Sequence, residues 1–313
     1  MGVEPVAAAP RRPLSTELLG FPAGARVLIV NCDDLGMHTS VNTAVLEAVQ
    51  EGVASSASLM LPTPAAAQAM QMLRCARTVP FGIHLTLTRD GPGQHWAPVS
   101  PAERVPSLVD EDGLLFTHAR ASRLLSRARL EDVERELRAQ IDVVARSGLA
   151  PTHLDWHALA DGGRPDVLDL TLGLAAEHGL AARVWLQDGR QRARARRLPV
   201  VDHDFLDSFA LEVDGRTERY VQLLRLLPAG LSEWAVHPAI GEETVGEADL
   251  GWAVRRSDHA FLLSPLARRV LDEEAIIVVD YRGLQRVWAA VEGCSGGEHR
   301  PSSGGEPQDV APR

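Results

Sequence analysis

Hydrophobic and polar positions along the chain follow two rhythms. Val27-Leu28-Ile29-Val30 is a continuous apolar run that passes directly into Asn31-Cys32-Asp33-Asp34-Leu35-Gly36. Such a run predicts a buried parallel strand, with the polar cluster at its C-terminal end, where open α/β sheets and barrels hold their ligands. Val41, Ala44, Val45 and Ala48 then keep helical spacing over 39–52, with Thr39 or Ser40 as N-cap and Gly52 as the stop. Further strands are expected at 57–61, 81–88, 152–157, 183–186, 233–238 and 276–281, the last of them buried. Helices are expected at 65–77 behind Pro64, at 165–178, at 220–227 and at 264–274. The clearest helix is 130–147, where Leu130, Val133, Leu137, Ile141 and Val144 form an apolar stripe. Glu131–Arg135 and Glu134–Arg138 are its i,i+4 pairs.

About seven strands alternating with helices predict an α/β fold, read as a distorted, incompletely closed parallel (β/α) barrel. Residues 26–291 would form this one domain, between a loose Ala/Pro/Arg-rich arm (1–25) and a disordered Gly/Ser-rich tail (292–313). Residues 89–117 read as a long irregular loop, of the kind that is either functional or disordered. The basic run Arg190 to Arg197 reads as a solvated loop, and the Asp202–Asp207 cluster as a loop more than a second metal site.

Composition narrows the class. A chain of 313 residues with 45% hydrophobic content can bury a large core, and a net charge of −10 argues against a nucleic-acid partner. No apolar run reaches the length of a membrane span. Cys32, Cys75 and Cys294 are odd in number and far apart, which fits free thiols in a cytoplasmic protein. Self-association is left open.

Strand ends carry the chemistry. Asn31, Asp33 and Asp34 end the first strand, His84 lies on the third, and His237 ends the strand at 233–238. On Thr152-His153-Leu154-Asp155-Trp156-His157, alternation puts His153, Asp155 and His157 on one face, away from Leu154 and Trp156. Each has a plain alternative: Asp33 and Asp34 could cap the next helix, and His84 could be a hydrogen-bonded core residue. Their joint placement at one rim is what a catalytic barrel requires. One carboxylate and two imidazoles are a common shell for a catalytic divalent ion, zinc or magnesium. A second carboxylate would then serve as base and a histidine across the rim as acid. Trp96 and Trp252, in expected loops, are candidate sugar-stacking platforms, whereas Trp156 and Trp185 are expected in the core.

The segments Asn31–Gly36, Gly82–Thr88, Pro151–His157 and Val236–Pro238, in this order, resemble the YdjC/ChbG-like carbohydrate deacetylases, related to polysaccharide deacetylases. The resemblance extends over roughly Arg26 to Leu284. It implies a distorted barrel, a divalent metal and removal of an N-acetyl group from an amino sugar or short oligosaccharide. It further implies Asp34, His84 and His157 as metal ligands, Asp33 as the base and His237 as the acid. Asn31, His153 and Asp155 would support them, with Asp155 fixing a ligand imidazole. Many members carry further histidines after the fourth motif. Here Ala158-Leu159-Ala160-Asp161-Gly162-Gly163-Arg164 follows His157, with Asp161 or Arg164 as candidate replacements. Competing readings are a metal-dependent hydrolase of an ester or phosphate, and a sugar-binding protein without catalysis.

Overall fold

Residues 13–204, 206–241 and 251–295 are described by a computed structural model of the chain. The chain enters through a short helix, α1 (Ser15–Leu18), and the long strand β1 (Arg26–Leu35). Then come α2 (Thr39–Gln50), β2 (Ser56–Leu59), α3 (Ala66–Cys75) and β3 (Phe81–Leu85). The segment expected to be irregular contains β4 (Thr88–Arg89) and β5 (Phe116–Thr117), which pair in parallel, and leads into α4 (Ala121–Arg127). Next are α5 (Leu130–Arg146), β6 (His153–Trp156), α6 (Pro165–Glu177), β7 (Ala181–Ala182) and α7 (Gln187–Ala195). The chain continues with β8 (Leu206–Asp207), α8 (Arg216–Arg225), β9 (Gly230–Val236) and α9 (Trp252–Leu262). It closes with α10 (Pro265–Glu273), β10 (Ile276–Val278) and α11 (Tyr281–Ser295).

All pairings in the main sheet are parallel, in the order β7-β6-β3-β2-β1-β9-β8. β10 adds to the first half of β1, opposite Arg26 to Leu28, while β2 pairs with its second half. β7 and β8 end the order without pairing to each other, so the barrel is incompletely closed, as the strand alternation predicts. β1 sits centrally because it can be buried on both faces: Val27 to Val30 are at most 1% exposed. α5 has the expected stripe in Val133, Leu137, Ile141 and Val144, but Leu130 is left exposed. Of its two expected ion pairs, Glu134–Arg138 forms at 2.9 Å, whereas Arg135 turns to Asp132 and the Arg104 carbonyl.

Several expectations change. The arm is not loose from residue 15 on: Ser15 and Thr16 are buried, and the Ser15 N–H donates to the Asp202 carboxylate at 3.0 Å. Residues 292–295, expected in the tail, belong to α11, and residues 1–12 and 296–313, where the rest of the arm and tail were expected, lie outside the described residues. The last strand is short and half open, with Ile277 40% exposed. The basic run is helix α7, with Arg190 buried. In the Asp202–Asp207 cluster Asp202 is tied up internally, accepting from Ser15, Leu231 and Arg194, whereas Asp204 is exposed, as a solvated loop predicts, and pairs with Arg190.

The long loop is packed rather than disordered. Buried Arg89 donates to the Leu115 carbonyl and the Asp110 carboxylate, and Glu136 on α5 accepts from the Val99 and Ser100 N–H groups. These buried donors thereby find acceptors, as a packed loop requires. Trp96 and Trp252 are 3% and 2% exposed, so neither is an open platform.

Candidate active site at the C-terminal rim

Asp33 and Asp34 do not cap the next helix; the N-cap of α2 is His38, whose ring accepts from the Ser40 N–H. Consecutive strand residues normally point to opposite faces. Here Asp34 has φ +67°, and the β1–β2 register slips between Cys32 and Leu35. That local break brings both carboxylates to one imidazole: His84 Nε2 lies 3.8 Å from Asp33 Oδ2 and 3.5 Å from Asp34 Oδ1. Asp, whose short side chain tolerates the left-handed region, is among the few residues suited to that position.

Asp34 Oδ1 is the point of convergence. His84 Nε2 approaches it to 3.5 Å and His157 Nδ1 to 3.2 Å, and all three residues are buried. The second nitrogen of each imidazole meets a carboxylate, His84 Nδ1 with Asp155 at 3.0 Å and His157 Nε2 with Asp90 at 2.8 Å. Asp155 therefore supports His84, its neighbour in the β3–β6 register, and not His157. Asp90 follows β4 on the packed loop and takes the His157 side. Such outer carboxylates fix the tautomer and orientation of metal-ligating histidines.

Each aspartate of the pair is gripped by its own arginine. Arg183 binds Asp33 through two N–H···O bonds of 2.8 Å, and also donates to Glu233 at 2.8 Å and approaches Asp155 at 3.0 Å. Arg255 donates to Asp34 Oδ2 at 2.7 Å, leaving Oδ1 to the histidines. Asn31 donates to Asp33 Oδ1 and to the Ser58 hydroxyl, both at 2.7 Å, and Ser58 in turn donates to Asp155. Below them His153 stacks on Tyr281 at 3.6 Å, and the Tyr281 hydroxyl donates to Glu233 at 2.5 Å. A Cβ on Gly82 would strike the His153 ring at 2.5 Å, so the stack depends on a bare backbone there.

Ionisation follows from these contacts. Burial alone would raise Asp33 and Asp34, yet Arg183 and His84 hold Asp33 below the usual carboxylate range, and Arg255 with the two histidines holds Asp34 well below it. Burial disfavours a charged imidazole, but Asp155 and Asp33 push His84 up to about 10, and Asp90 and Asp34 push His157 up to about 9. Burial raises Glu233 to about 7 against the pull of Arg183. Four buried carboxylates (Asp33, Asp34, Asp155, Glu233) thus face two guanidinium groups, and the rest of the positive charge is carried by the protons of His84 and His157. A divalent ion would supply that charge, and the donor set of one carboxylate and two imidazoles suits it.

Among the described residues, two groups could hold such an ion: Asp34-His84-His157 and Asp33-His84-Asp155. In the second, both carboxylates already engage Arg183, which makes the first the available one.

His237, at the end of β9, stands apart from this cluster. Its Nδ1 is 3.0 Å from the Ser208 hydroxyl and 3.9 Å from Asp207, and its N–H donates to Asp258. It is linked to the cluster through Phe209, whose ring meets His237 at 4.6 Å and lies under Arg255 at 5.3 Å. Neither candidate for the missing histidines reaches the cluster. The Asp161 carboxylate accepts from the Trp185 and Leu186 N–H groups, and Arg164 binds Asp166 and the Leu125 and Ala128 carbonyls.

Sequence reasoning missed Arg183, Arg255, Asp90 and Glu233. For Arg183 a signal existed: a charge opening the apolar run Val184-Trp185-Leu186 has to be paired if the strand is buried. Glu233, opening Trp234-Ala235-Val236, carried the same signal, whereas Asp90 and Arg255 offered none.

Together the half-open parallel barrel and its buried two-histidine, one-carboxylate cluster define a class of α/β proteins with a metal-type centre at the C-terminal rim. Within that class the chain belongs to the YdjC-like protein family, whose model matches residues 27–273. It is 33% identical over 264 residues to a carbohydrate deacetylase of Geobacillus stearothermophilus, covering 84% of this chain and 99% of that protein. A chitooligosaccharide deacetylase of Serratia marcescens is 30% identical over 227 residues, 70% of this chain and 84% of the relative. Among solved structures, a proposed cellobiose-phosphate cleavage protein of Enterococcus faecalis V583 superposes with a TM-score of 0.72 at 29% identity. That alignment covers 83% of this chain and 99% of the other.

Proposed function

We propose that this chain is a metal-dependent hydrolase that removes the N-acetyl group from an acetylated amino sugar or short oligosaccharide, releasing acetate. The observation that carries the reading is the convergence of His84 and His157 on Asp34 Oδ1, with Asp33 beside them held by Arg183. The names of the Geobacillus and Serratia relatives supply the substrate class. Asp34, His84 and His157 would hold the ion, zinc or magnesium. When bound, such an ion lowers the pKa of a water it holds to about 7 and polarises a carbonyl oxygen.

The protein's own groups do the rest. Asp33 is the base: Arg183 keeps it anionic and aimed, and Oδ2, with one arginine bond, retains room to accept from water. The same grip weakens it as a base, which is why its water has to be made acidic. His237, with Nδ1 engaged by Ser208, offers Nε2 to protonate the departing amine. The free thiols, buried Cys32 and exposed Cys75, suit a reducing cytoplasm.

Acetate release from N-acetylated sugars, with metal content measured in parallel, tests the reading. Wild type should release acetate only with metal bound. Metal-loaded protein cleaving esters or phosphates but no acetamido sugar would replace this reading with another hydrolase. Protein that binds sugar without any turnover would make it a binding protein.

A further inference from the structure

The sheet order leaves an opening between β7 and β8, and an aromatic residue follows each of these edge strands. Trp185 comes three residues after β7 and Phe209 two residues after β8. Both are on the C-terminal side, where the aspartates and histidines gather. Contrary to its expected core position, Trp185 is only half-buried, and Phe209 is 41% exposed. Each ring is backed by an arginine that grips one of the paired aspartates. Arg183 lies over Trp185 at 5.5 Å and Arg255 over Phe209 at 5.3 Å.

The two sides of the opening are fastened and within electrostatic reach. Arg190 of α7 pairs with Asp204 at 2.8 Å, and Arg194 with Asp202 at 3.1 Å, joining the helix after β7 to the segment before β8. Asp207 at the end of β8, raised by burial, feels the charges of His237, of Asp33 and, beyond β7, of Arg183. Trp185 is held by its backbone, through the Asp161 bonds to its own N–H and that of Leu186. The segment after His157, through Asp161, is thus the one that positions an aromatic at the rim.

A single exposed aromatic needs no explanation, but two arginine-backed rings flanking one opening beside a polar cluster do. A pyranose has hydroxyl edges and an apolar C–H face, and aromatic faces are suited to the latter. We propose that the opening between β7 and β8 is the substrate cleft, and that Trp185 and Phe209 pack against the sugar ring whose N-acetyl group is presented to Asp33 and His237. This rests on the deacetylase reading and specifies how its substrate is gripped.

The test uses the full chain with the N-acetylglucosamine disaccharide of chitin as probe. Affinity is measured by calorimetry and acetate release by kinetics, for wild type, Phe209→Ala, Trp185→Ala, Phe209→Tyr and Trp185→Phe. Each alanine variant should weaken binding and raise KM about tenfold, with metal content unchanged, and the aromatic replacements should recover most of it. Unaltered affinity and KM in both alanine variants would overturn the cleft. So would losses confined to kcat, since the rings would then act only through their arginines. A wild type that binds the disaccharide in a Phe209-dependent way but releases no acetate would sink the deacetylase reading and leave the cleft standing. Normal acetate release with indifferent alanine variants would do the reverse.

Discussion

The central strands and the edge strands of this barrel do different work. β1, β3 and β6 are bonded on both sides within the sheet and deliver Asp33, Asp34, His84 and Asp155, with His157 directly after β6. β7 and β8 are two residues long, lie at the ends of the sheet, and lead to Arg183, Trp185, Asp207 and Phe209. Asp34, His84 and His157, which converge on one point, are thus held by central backbone, and so is Asp155, which orients His84. The arginine that neutralises Asp33 and the exposed aromatic rings come from edges and loops, where substitution is cheaper.

Breaking the central set should have the largest effect. Asp34→Asn or His84→Ala should remove tightly bound metal, checked by elemental analysis, and lower acetate release by at least about a thousandfold. Asp33→Asn should keep the metal but lose about a hundred- to ten-thousandfold in kcat. If that variant also loses its metal, the division of labour within the pair is wrong.

Arg183→Met probes the edge contribution to stability. It leaves Asp33, Asp155 and Glu233 without their shared cation, and denaturant unfolding should show a loss of about 3–5 kcal/mol. His237→Ala should lower kcat about a hundredfold while the melting temperature stays near that of wild type, because its ring meets Ser208, Asp207 and the exposed Phe209 at the rim.

The smallest effect concerns pH. Glu233 is raised in the folded state from 4.5 to about 7, so between those values the folded protein binds more protons than the unfolded chain. Stability therefore falls as pH rises through that window. Glu233→Gln should flatten this part of the stability profile, followed by thermal unfolding at pH 4.5–7.5. An unchanged slope would place the titration on another group.

The same contrast governs what the sequence discloses. β1 announces itself because an uninterrupted apolar run ends in a polar cluster, and the histidines stand out because charged groups are costly on buried strands. A two-residue strand such as β7 has no period to read, and its expected position was two residues late. α9 was missed for a different reason: its inner face carries Arg255 and Asp258 among Trp252, Val254, Phe261 and Leu262, so the stripe is broken by the residues that serve the site. The basic run of α7 was misread because Gly189, Arg190 and Ala193 make a buried face too small and too charged to look apolar. In α11, Tyr281, Leu284 and Trp288 do keep helical spacing, but the apolar run before them drew Tyr281 into a strand.

Tyr281 has one more consequence. It lies in the last described helix, beyond the residues matched to the family, yet its ring and hydroxyl floor the barrel against His153 and Glu233. A nascent chain emerges N-terminus first, so every strand is made before this floor arrives. Until then His153 has no ring to stack on, and Glu233 lacks the Tyr281 hydroxyl as a donor. Completion of the cluster is thereby tied to a helix beyond the stretch matched to the family. A truncation at Asp280 would spare Asp34, His84 and His157 and still remove the ring on which His153 stacks.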